Sequence, residues 1–259
     1  MQEFIHGPVD VCQRRVSFAT ENILKKYKMK LFYRESGQGQ PIVIMHGIFG
    51  SSDNWLTQAR LLSARYHVFS LDLRNHGQSF HTDEFDYPAM VNDLEEFMDI
   101  HKLEDPVVIG HSMGGKVAMN FAVAHPEKLQ RLIVVDIAPK FYNLEHYVIL
   151  DGLKAVPIDD ISSRNEADQA LAPFVPEADV RQFLLKNLQR KPAGGFTWKI
   201  NLPVIGKHLS KIGLDLQYNG KFEKPALFIR GGRSKYVLDA DFPRIREIFP
   251  KAEVRTLDT

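Results

Sequence analysis

Short apolar runs alternate with longer helix-like stretches along most of this chain, and this alternation restricts the fold more than any other feature. The run over residues 41–45 is apolar throughout, rich in β-branched residues and too short for a helix, as expected of a buried strand. Further strands are predicted over residues 29–33, 66–71, 106–109, 131–135, 226–230 and 253–257, and helices over residues 54–65, 88–101, 114–125 and 239–249. Strands that alternate with helices form a mostly parallel sheet covered on both faces, so we expect an α/β fold.

The alternation stops between residues 140 and 221. Prolines and the Gly194-Gly195 pair separate helix-like stretches there, and no buried-strand pattern is visible. We expect a helical lid over residues 140–221, inserted in a core of residues 29–139 and 222–259. Residues 1–28 show no clear period and are interpreted as an N-terminal extension of uncertain origin, with a helix over residues 21–27 as the alternative.

Charge and cysteine content exclude several functional classes. The 33 Lys and Arg residues balance 32 Asp and Glu residues without a basic stripe, which argues against a nucleic-acid partner. Cys12 is the only cysteine, so no internal disulfide or cysteine metal cluster can form, and a cytoplasmic setting is expected. No apolar run approaches the roughly 20 residues of a membrane span, and the N-terminus lacks the apolar region of a signal peptide.

The segment Gly110-His111-Ser112-Met113-Gly114 has the form G-x-S-x-G and lies between a predicted strand and a predicted helix. A tight turn at this place strains the backbone at the serine, requires small neighbours and exposes the hydroxyl above the sheet. Ser112 is therefore the predicted catalytic nucleophile. The alternative is a glycine-rich turn that serves only close packing.

Acyl transfer passes through a tetrahedral oxyanion, which needs two N–H donors aimed at it. Met113 supplies one amide because it follows the nucleophile. The loop His46-Gly47-Ile48-Phe49-Gly50 follows an early strand, and we assign the second donor to the Ile48 amide, with the Phe49 amide as the alternative. The loop could also be only a strand-ending turn.

Four segments, at residues 46–47, 72–79, 110–115 and 136–139, occur in the order and approximate spacing of the α/β-hydrolase superfamily, which residues 29–259 resemble. The segments Arg74-Asn75-His76-Gly77 and 136–139 are similar to those of a branch of small bacterial esterases and acyl-thioesterases and their abhydrolase relatives. The resemblance implies the α/β-hydrolase fold and hydrolysis of small-molecule esters of short to medium acyl chains, or of acyl thioesters. It also implies that no metal or cofactor takes part.

The acid of a catalytic triad usually follows the penultimate core strand, but Ser234 stands at that place. In the branch that this chain resembles, the acid follows the strand after the nucleophile helix, which corresponds to Asp136. Asp136 could instead cap a backbone turn at the strand end. Asp239 and Asp241 are weaker candidates, because both fit equally well at the start of the following helix.

The triad histidine is expected after the last strand in this fold, and no histidine follows His208. We therefore expect the base beyond Thr259, and we expect this chain to be impaired unless a partner chain supplies one. Apolar surface left open by a missing closing helix would favour a homodimer. A structural role is expected for the histidines near the site or in the lid, His46, His76, His111, His146 and His208.

Two other functions compete with ester hydrolysis. A C–C bond hydrolase of ring-cleavage products would use the same triad and a similar lid. A non-catalytic binding protein could have kept the fold and lost the base. Aromatic residues concentrate in the insertion. Such rings could line an acyl pocket, but for most of them we expect a place in a core of the lid itself. They are Phe141, Tyr142, Tyr147, Phe174, Phe183, Phe196 and Trp198.

Overall fold

A computed structural model describes residues 30–143, 146–215 and 218–258 of the chain. The predicted N-terminal extension and its alternative helix lie outside the described residues. The strands are β1 Tyr33–Ser36, β2 Pro41–Met45, β3 His67–Leu71, β4 Val107–His111, β5 Arg131–Val135, β6 Leu188–Arg190, β7 Phe196–Trp198, β8 Ala226–Gly231 and β9 Ala252–Leu257. The α-helices are α1 Leu56–Leu62, α2 Tyr87–His101, α3 Met113–Ala124, α4 His146–Ala155, α5 Arg164–Leu171, α6 Ala178–Leu185, α7 Leu202–Ile212 and α8 Phe242–Ile248.

Seven strands form one sheet in the order β1-β3-β2-β4-β5-β8-β9. Only the edge strand β1 runs antiparallel to its neighbour, and every other pair is parallel. This architecture confirms the predicted fold class. Parallel register places Met45 opposite Gly110 and His111 opposite Val135. The carboxyl ends of β2, β4 and β5 therefore meet at one edge, where the predicted site residues follow.

The two faces of the sheet are covered unequally. On one face, α2 and α3 pack over a large buried cluster that continues into side chains of the inserted segment, including Leu153 and Ile205. On the other face, a smaller cluster lies around Ile44 and Ile109 beneath α1, with Ile133 and Val135 of β5 only partly buried at its margin. The larger cluster therefore joins the sheet to the insertion.

Three local predictions differ from the structure. The first strand begins at Tyr33 rather than residue 29. The helices predicted from residues 54 and 239 begin with short 3-10 turns, so their α-helical parts are α1 and α8. The insertion, interpreted as helical, also contains a short antiparallel hairpin formed by β6 and β7. Each of these strands has three residues, too few to show a period of two, and Gly194 and Gly195 both have positive φ angles in the connecting turn.

The aromatic residues of the insertion do not share one environment. Phe196 is buried in the main cluster, and Tyr142, Phe174, Phe183 and Trp198 pack partly buried against it. Phe141 and Tyr147, in contrast, are 59% and 46% exposed. Most of these rings therefore pack into the cluster that the insertion shares with the sheet, not into a separate core of the lid as expected, and two of them face solvent.

Candidate active site

Ser112 lies in a strained backbone conformation at the junction of β4 and α3. Its φ of 50° and ψ of −115° fall outside the regions that L-residues normally adopt. Two hydrogen bonds hold the turn: the Ser112 amide donates to the Val135 carbonyl at 3.0 Å, and the Lys116 amide donates to the Ser112 carbonyl at 3.0 Å. Strain that the surrounding structure enforces at a serine above a sheet edge is characteristic of a functional site.

The glycines beside Ser112 are required by close backbone approach. A Cβ atom at Gly110 would lie 2.2 Å from the Gly114 carbonyl oxygen, and one at Gly114 would lie 2.5 Å from the His46 carbonyl oxygen. The Gly114 amide donates to that same His46 oxygen at 3.1 Å. The motif therefore brings the start of α3 directly against the loop after β2.

The two candidate oxyanion donors of that loop, residues 46–50, differ in their hydrogen bonding. The Phe49 amide donates to His76 Nε2 at 3.2 Å, and Phe49 has a φ of 59°. Within residues 30–143, 146–215 and 218–258, no acceptor is recorded for the Ile48 and Met113 amides. Between the two loop amides, the geometry favours Ile48 over Phe49 as a free donor.

His46 and His76 are neutral structural residues that hold this loop. His46 Nδ1 donates to the Gly47 carbonyl at 2.7 Å and His46 Nε2 accepts from the Leu73 amide at 3.0 Å. His76 Nδ1 donates to the Arg74 carbonyl at 3.0 Å, while its Nε2 accepts from Phe49. Burial lowers the pKa of His46 to about 4 and that of His76 to about 3. With both nitrogens engaged, neither ring is available as a general base.

The 72–79 segment is built around a buried carboxylate. Asp72 Oδ1 accepts from the Ser52 amide at 2.6 Å, and Asp72 Oδ2 accepts from the Gln78 amide at 2.8 Å. Gly77 has a φ of 58°, and a Cβ atom there would overlap Asp72. Asp72 therefore ties the 72–79 segment to Ser52, which lies two residues after the 46–50 loop.

Asp136 follows β5 at the same sheet edge, also with a positive φ, of 53°. Its amide donates to the Ile229 carbonyl at 2.8 Å, which fixes the backbone to β8. Its Oδ1 atom is buried and has no hydrogen-bond partner among the described residues. Burial lowers the pKa of neighbouring His111, and the Asp136 charge opposes that shift. A buried carboxylate oxygen without a hydrogen-bond donor is energetically costly. This atom can accept a hydrogen bond from an N–H group.

The alternative acids are engaged in structural contacts. Asp241 Oδ2 pairs with Lys140 Nζ at 2.6 Å and accepts from the Leu238 amide at 2.8 Å. Asp239, 80% exposed, pairs with Arg230 at 2.7 Å. Ser234 Oγ accepts from the Tyr236 amide at 3.2 Å and shapes a turn.

Asn187 is a residue that sequence reasoning missed. It lies just before β6 in the insertion, is 1% exposed, and donates through Nδ2 to the Phe49 carbonyl at 2.6 Å. The Phe49 amide is thus bound by His76 and the Phe49 carbonyl by Asn187. An asparagine with no motif around it gives no signal in the sequence for such a contact.

Neither a metal centre nor a membrane-spanning helix is found in the part of the chain that the structure describes. No group of three or more His, Cys, Asp or Glu side chains in the described residues is placed to hold a metal ion. In the same part of the chain, no helix combines the length and apolar character needed to cross a membrane.

Comparison with known proteins assigns the chain to a family. The model of the alpha/beta hydrolase fold family matches residues 40–259. The sn-1-specific diacylglycerol lipase ABHD11 of Mus musculus is 36% identical over 96% of this chain and 84% of its own, and esterase YbfF of Escherichia coli is 34% identical over 88% and 90%. The solved structure of a marine microorganism esterase superposes with a TM-score of 0.86 at 40% identity, covering 88% of this chain and 91% of that one. This chain belongs to the α/β-hydrolase fold family and is a hydrolase of the carboxylesterase type.

Proposed function

We propose that the chain cleaves carboxylic esters through an acyl-enzyme on Ser112. The observation that carries the proposal is the strained Ser112 backbone at the start of α3, next to the Ile48 and Met113 amides, which have no acceptor among the described residues. An elbow of this kind exposes the serine oxygen, and two free amides beside it can stabilise an oxyanion.

In the proposed reaction, Ser112 Oγ attacks the ester carbonyl carbon while its proton passes to an imidazole base. The carbonyl oxygen takes up the negative charge and accepts hydrogen bonds from the Ile48 and Met113 amides. The C–O bond to the alcohol then breaks, and the imidazolium returns the proton to the leaving oxygen. Water repeats the sequence on the acyl-enzyme and releases the acid.

Asp136 is the proposed acid of this triad, because its unpaired Oδ1 could accept an imidazole N–H and stabilise the imidazolium. The base is proposed to be a histidine from one of two sources. It comes either from a part of this protein outside the described residues or from a second copy in a homodimer. His46 and His76 cannot serve, since each already uses both ring nitrogens.

Residues 140–221 are proposed to act as the lid of a core formed by residues 29–139 and 222–259. The Asn187 contact with the Phe49 carbonyl supports this division, because it ties the insertion to the loop that carries the Ile48 amide. The substrates are proposed to be esters of short to medium acyl chains, including acylglycerols and acyl thioesters. The relatives named as esterases and as a diacylglycerol lipase favour this class.

The test compares wild type with Ser112→Ala on p-nitrophenyl acetate and butyrate, with and without added imidazole. We expect Ser112-dependent turnover that imidazole accelerates, because free imidazole can occupy the place of the base beside Asp136. Fluorophosphonate should label wild type and not Ser112→Ala. Equal rates for both proteins at every imidazole concentration, with no labelling, would reject Ser112 as the nucleophile. A diacylglycerol and an acyl thioester, assayed in the same way, would then rank the substrate classes.

A further inference from the structure

A lysine lies completely inside the protein, one helical turn after the nucleophile. Lys116 is 1% exposed, and its amide donates to the Ser112 carbonyl. It stands among Val117, Ala118 and Met119 on the apolar helix α3. Burying a charge is costly unless its donors are satisfied, so the contacts of this ammonium group must account for its position.

The three N–H donors of the ammonium group match three backbone carbonyls. Lys116 Nζ donates to the carbonyl oxygens of Lys140 at 3.0 Å, Gly213 at 3.3 Å and Leu214 at 2.5 Å. It also lies 5.0 Å from the Tyr142 ring centroid and 5.9 Å from that of Tyr87. A lysine that binds carbonyls rather than a carboxylate acts as a connector of backbone segments.

The carbonyls belong to two segments that border the candidate site. The Lys140 carbonyl lies four residues after Asp136, whereas those of Gly213 and Leu214 follow α7, where the insertion returns to the core. The Tyr142 amide donates to the same Gly213 oxygen at 2.8 Å, and the Tyr142 hydroxyl accepts from the Ala138 amide at 2.8 Å. The 136–142 loop is thus tied to the end of α7 and, through the lysine, to the nucleophile helix.

We propose that Lys116 is a positioning residue whose ammonium group holds the 136–142 loop, and with it Asp136, at a fixed distance from Ser112. Its catalytic consequence rests on the proposed function, whereas its effect on the loop does not. A neutral side chain of the same length would remove the ammonium donor from all three carbonyls and leave the Gly213 oxygen with the Tyr142 amide alone. The loop would then relax, and the strained backbone at Asp136 would lose one of the contacts that enforce it.

The charged groups around Lys116 make its protonation state testable. Burial lowers the pKa of Lys116 to about 8, and the Asp215 charge opposes the shift. Burial raises the pKa of Tyr87 and of Tyr142 above the ordinary range, so both rings stay neutral while the lysine titrates. Lys140 Nζ, which also approaches the Tyr142 ring, is paired with Asp241. Above pH 8 most of Lys116 is the neutral amine, which has two N–H donors for the three carbonyl oxygens.

The first experiment measures hydrogen–deuterium exchange at pH 7 in wild type, Lys116→Met, Lys116→Arg and Lys140→Ala. Lys116→Met is expected to speed exchange at least tenfold in peptides spanning residues 136–142 and 211–215, with β2 and β4 unchanged. Lys116→Arg should restore part of the protection because it keeps the charge. Lys140→Ala is the matched control, since it removes the ion pair with Asp241 and keeps the carbonyl, and it should resemble wild type. Unchanged exchange in Lys116→Met, or a uniform increase throughout the chain, would overturn the proposal.

Wild type provides a second measurement in case Lys116→Met does not fold. Near-ultraviolet circular dichroism of the tyrosines should change with a midpoint near pH 8 while the far-ultraviolet signal stays constant. A loss of the far-ultraviolet signal with the same midpoint would contradict the proposal, because the ammonium group would then hold the whole fold rather than the 136–142 loop. In the ester assay, Lys116→Met should lower kcat severalfold with little change in KM, with partial recovery in Lys116→Arg. A wild type without esterase activity would count against the proposed function, whereas the exchange result would still decide the role of Lys116.

Discussion

The two sides of the candidate site are built in opposite ways. On the side of the 46–50 loop, His46, His76 and Asp72 are buried with their hydrogen-bonding atoms engaged by backbone groups. On the other side, the buried Oδ1 of Asp136 has no hydrogen-bond partner among the described residues. The first side is preorganised and should contribute to stability, whereas the buried Asp136 oxygen on the second side should cost stability while it lacks a donor.

This comparison separates residues that support the site from residues that would perform its chemistry. Satisfied buried networks stabilise a fold, so their disruption should appear as lost stability. An unsatisfied carboxylate costs stability, so its removal should harm activity and spare the fold.

Acid should destabilise the protein mainly through His46 and His76, the two histidines that hold the 46–50 loop. The pKa values of His46 and His76 in the folded state, about 4 and about 3, lie below the unfolded value of 6.5. The unfolded chain therefore binds more protons, and stability present above pH 6.5 is lost as pH falls toward 4. Each ring should account for a loss on the order of 3 kcal/mol by pH 4. Denaturant unfolding at pH 7, 6, 5 and 4 measures this loss.

The variant His76→Gln identifies the source of that pH dependence. Glutamine cannot titrate, and its amide can still donate and accept in place of the two ring nitrogens. Its unfolding free energy should therefore fall less between pH 6.5 and 4 than that of wild type. An identical slope in the two proteins would mean that His76 is not among the groups responsible.

Gly110→Ala should have the next largest effect. The new Cβ would lie 2.2 Å from the Gly114 carbonyl oxygen, and neither backbone segment can move without disturbing α3 or the turn at Ser112. We expect a loss of about 3 kcal/mol in unfolding free energy, measured by chemical denaturation. Gly206→Ala in α7 is the control, because a Cβ atom there would first meet side-chain ends of Leu150 and Lys154, at 3.1 Å or more, rather than backbone atoms. A comparable loss in both variants would show that the constraint is not specific to the turn.

The elements predicted correctly from the sequence depend on local patterns. The core strands and the elbow at Ser112 follow from apolar periodicity and from a five-residue motif, and both arise from residues close together in the chain. The Asn187 contact with Phe49 joins residues 138 positions apart, and the Lys116 contact with Leu214 joins residues 98 apart. Such contacts between a side chain and a distant carbonyl leave no periodic trace. The available signal is a lysine within the apolar helix α3. A helix that is apolar on all sides is buried, so a lysine in it is expected to be buried as well.

Asn187→Ala should remove a contact by which the insertion holds the 46–50 loop. The variant removes the hydrogen bond from Nδ2 to the Phe49 carbonyl and leaves that carbonyl without this donor. We expect a loss of about 1 to 2 kcal/mol in unfolding free energy, together with a lower kcat on p-nitrophenyl butyrate. Asn201→Ala is the matched control, since it breaks a bond from the insertion to Asn75 instead. Equal loss of kcat in the two variants would argue that the Phe49 contact has no special role.

The same substitution at two aspartates gives the finest test of the comparison. Asp136→Asn should leave the unfolding free energy within about 1 kcal/mol of wild type, because Oδ1 loses no partner among the described residues and asparagine tolerates the positive φ. Asp72→Asn should cost about 1 to 3 kcal/mol, because an amide cannot accept from both the Ser52 and the Gln78 amides. Imidazole-dependent turnover should fall at least tenfold in Asp136→Asn, since the imidazolium loses its counter-charge. If Asp136→Asn destabilised the protein as much as Asp72→Asn and left turnover intact, Asp136 would belong with the supporting residues and the proposed triad would have no acid there.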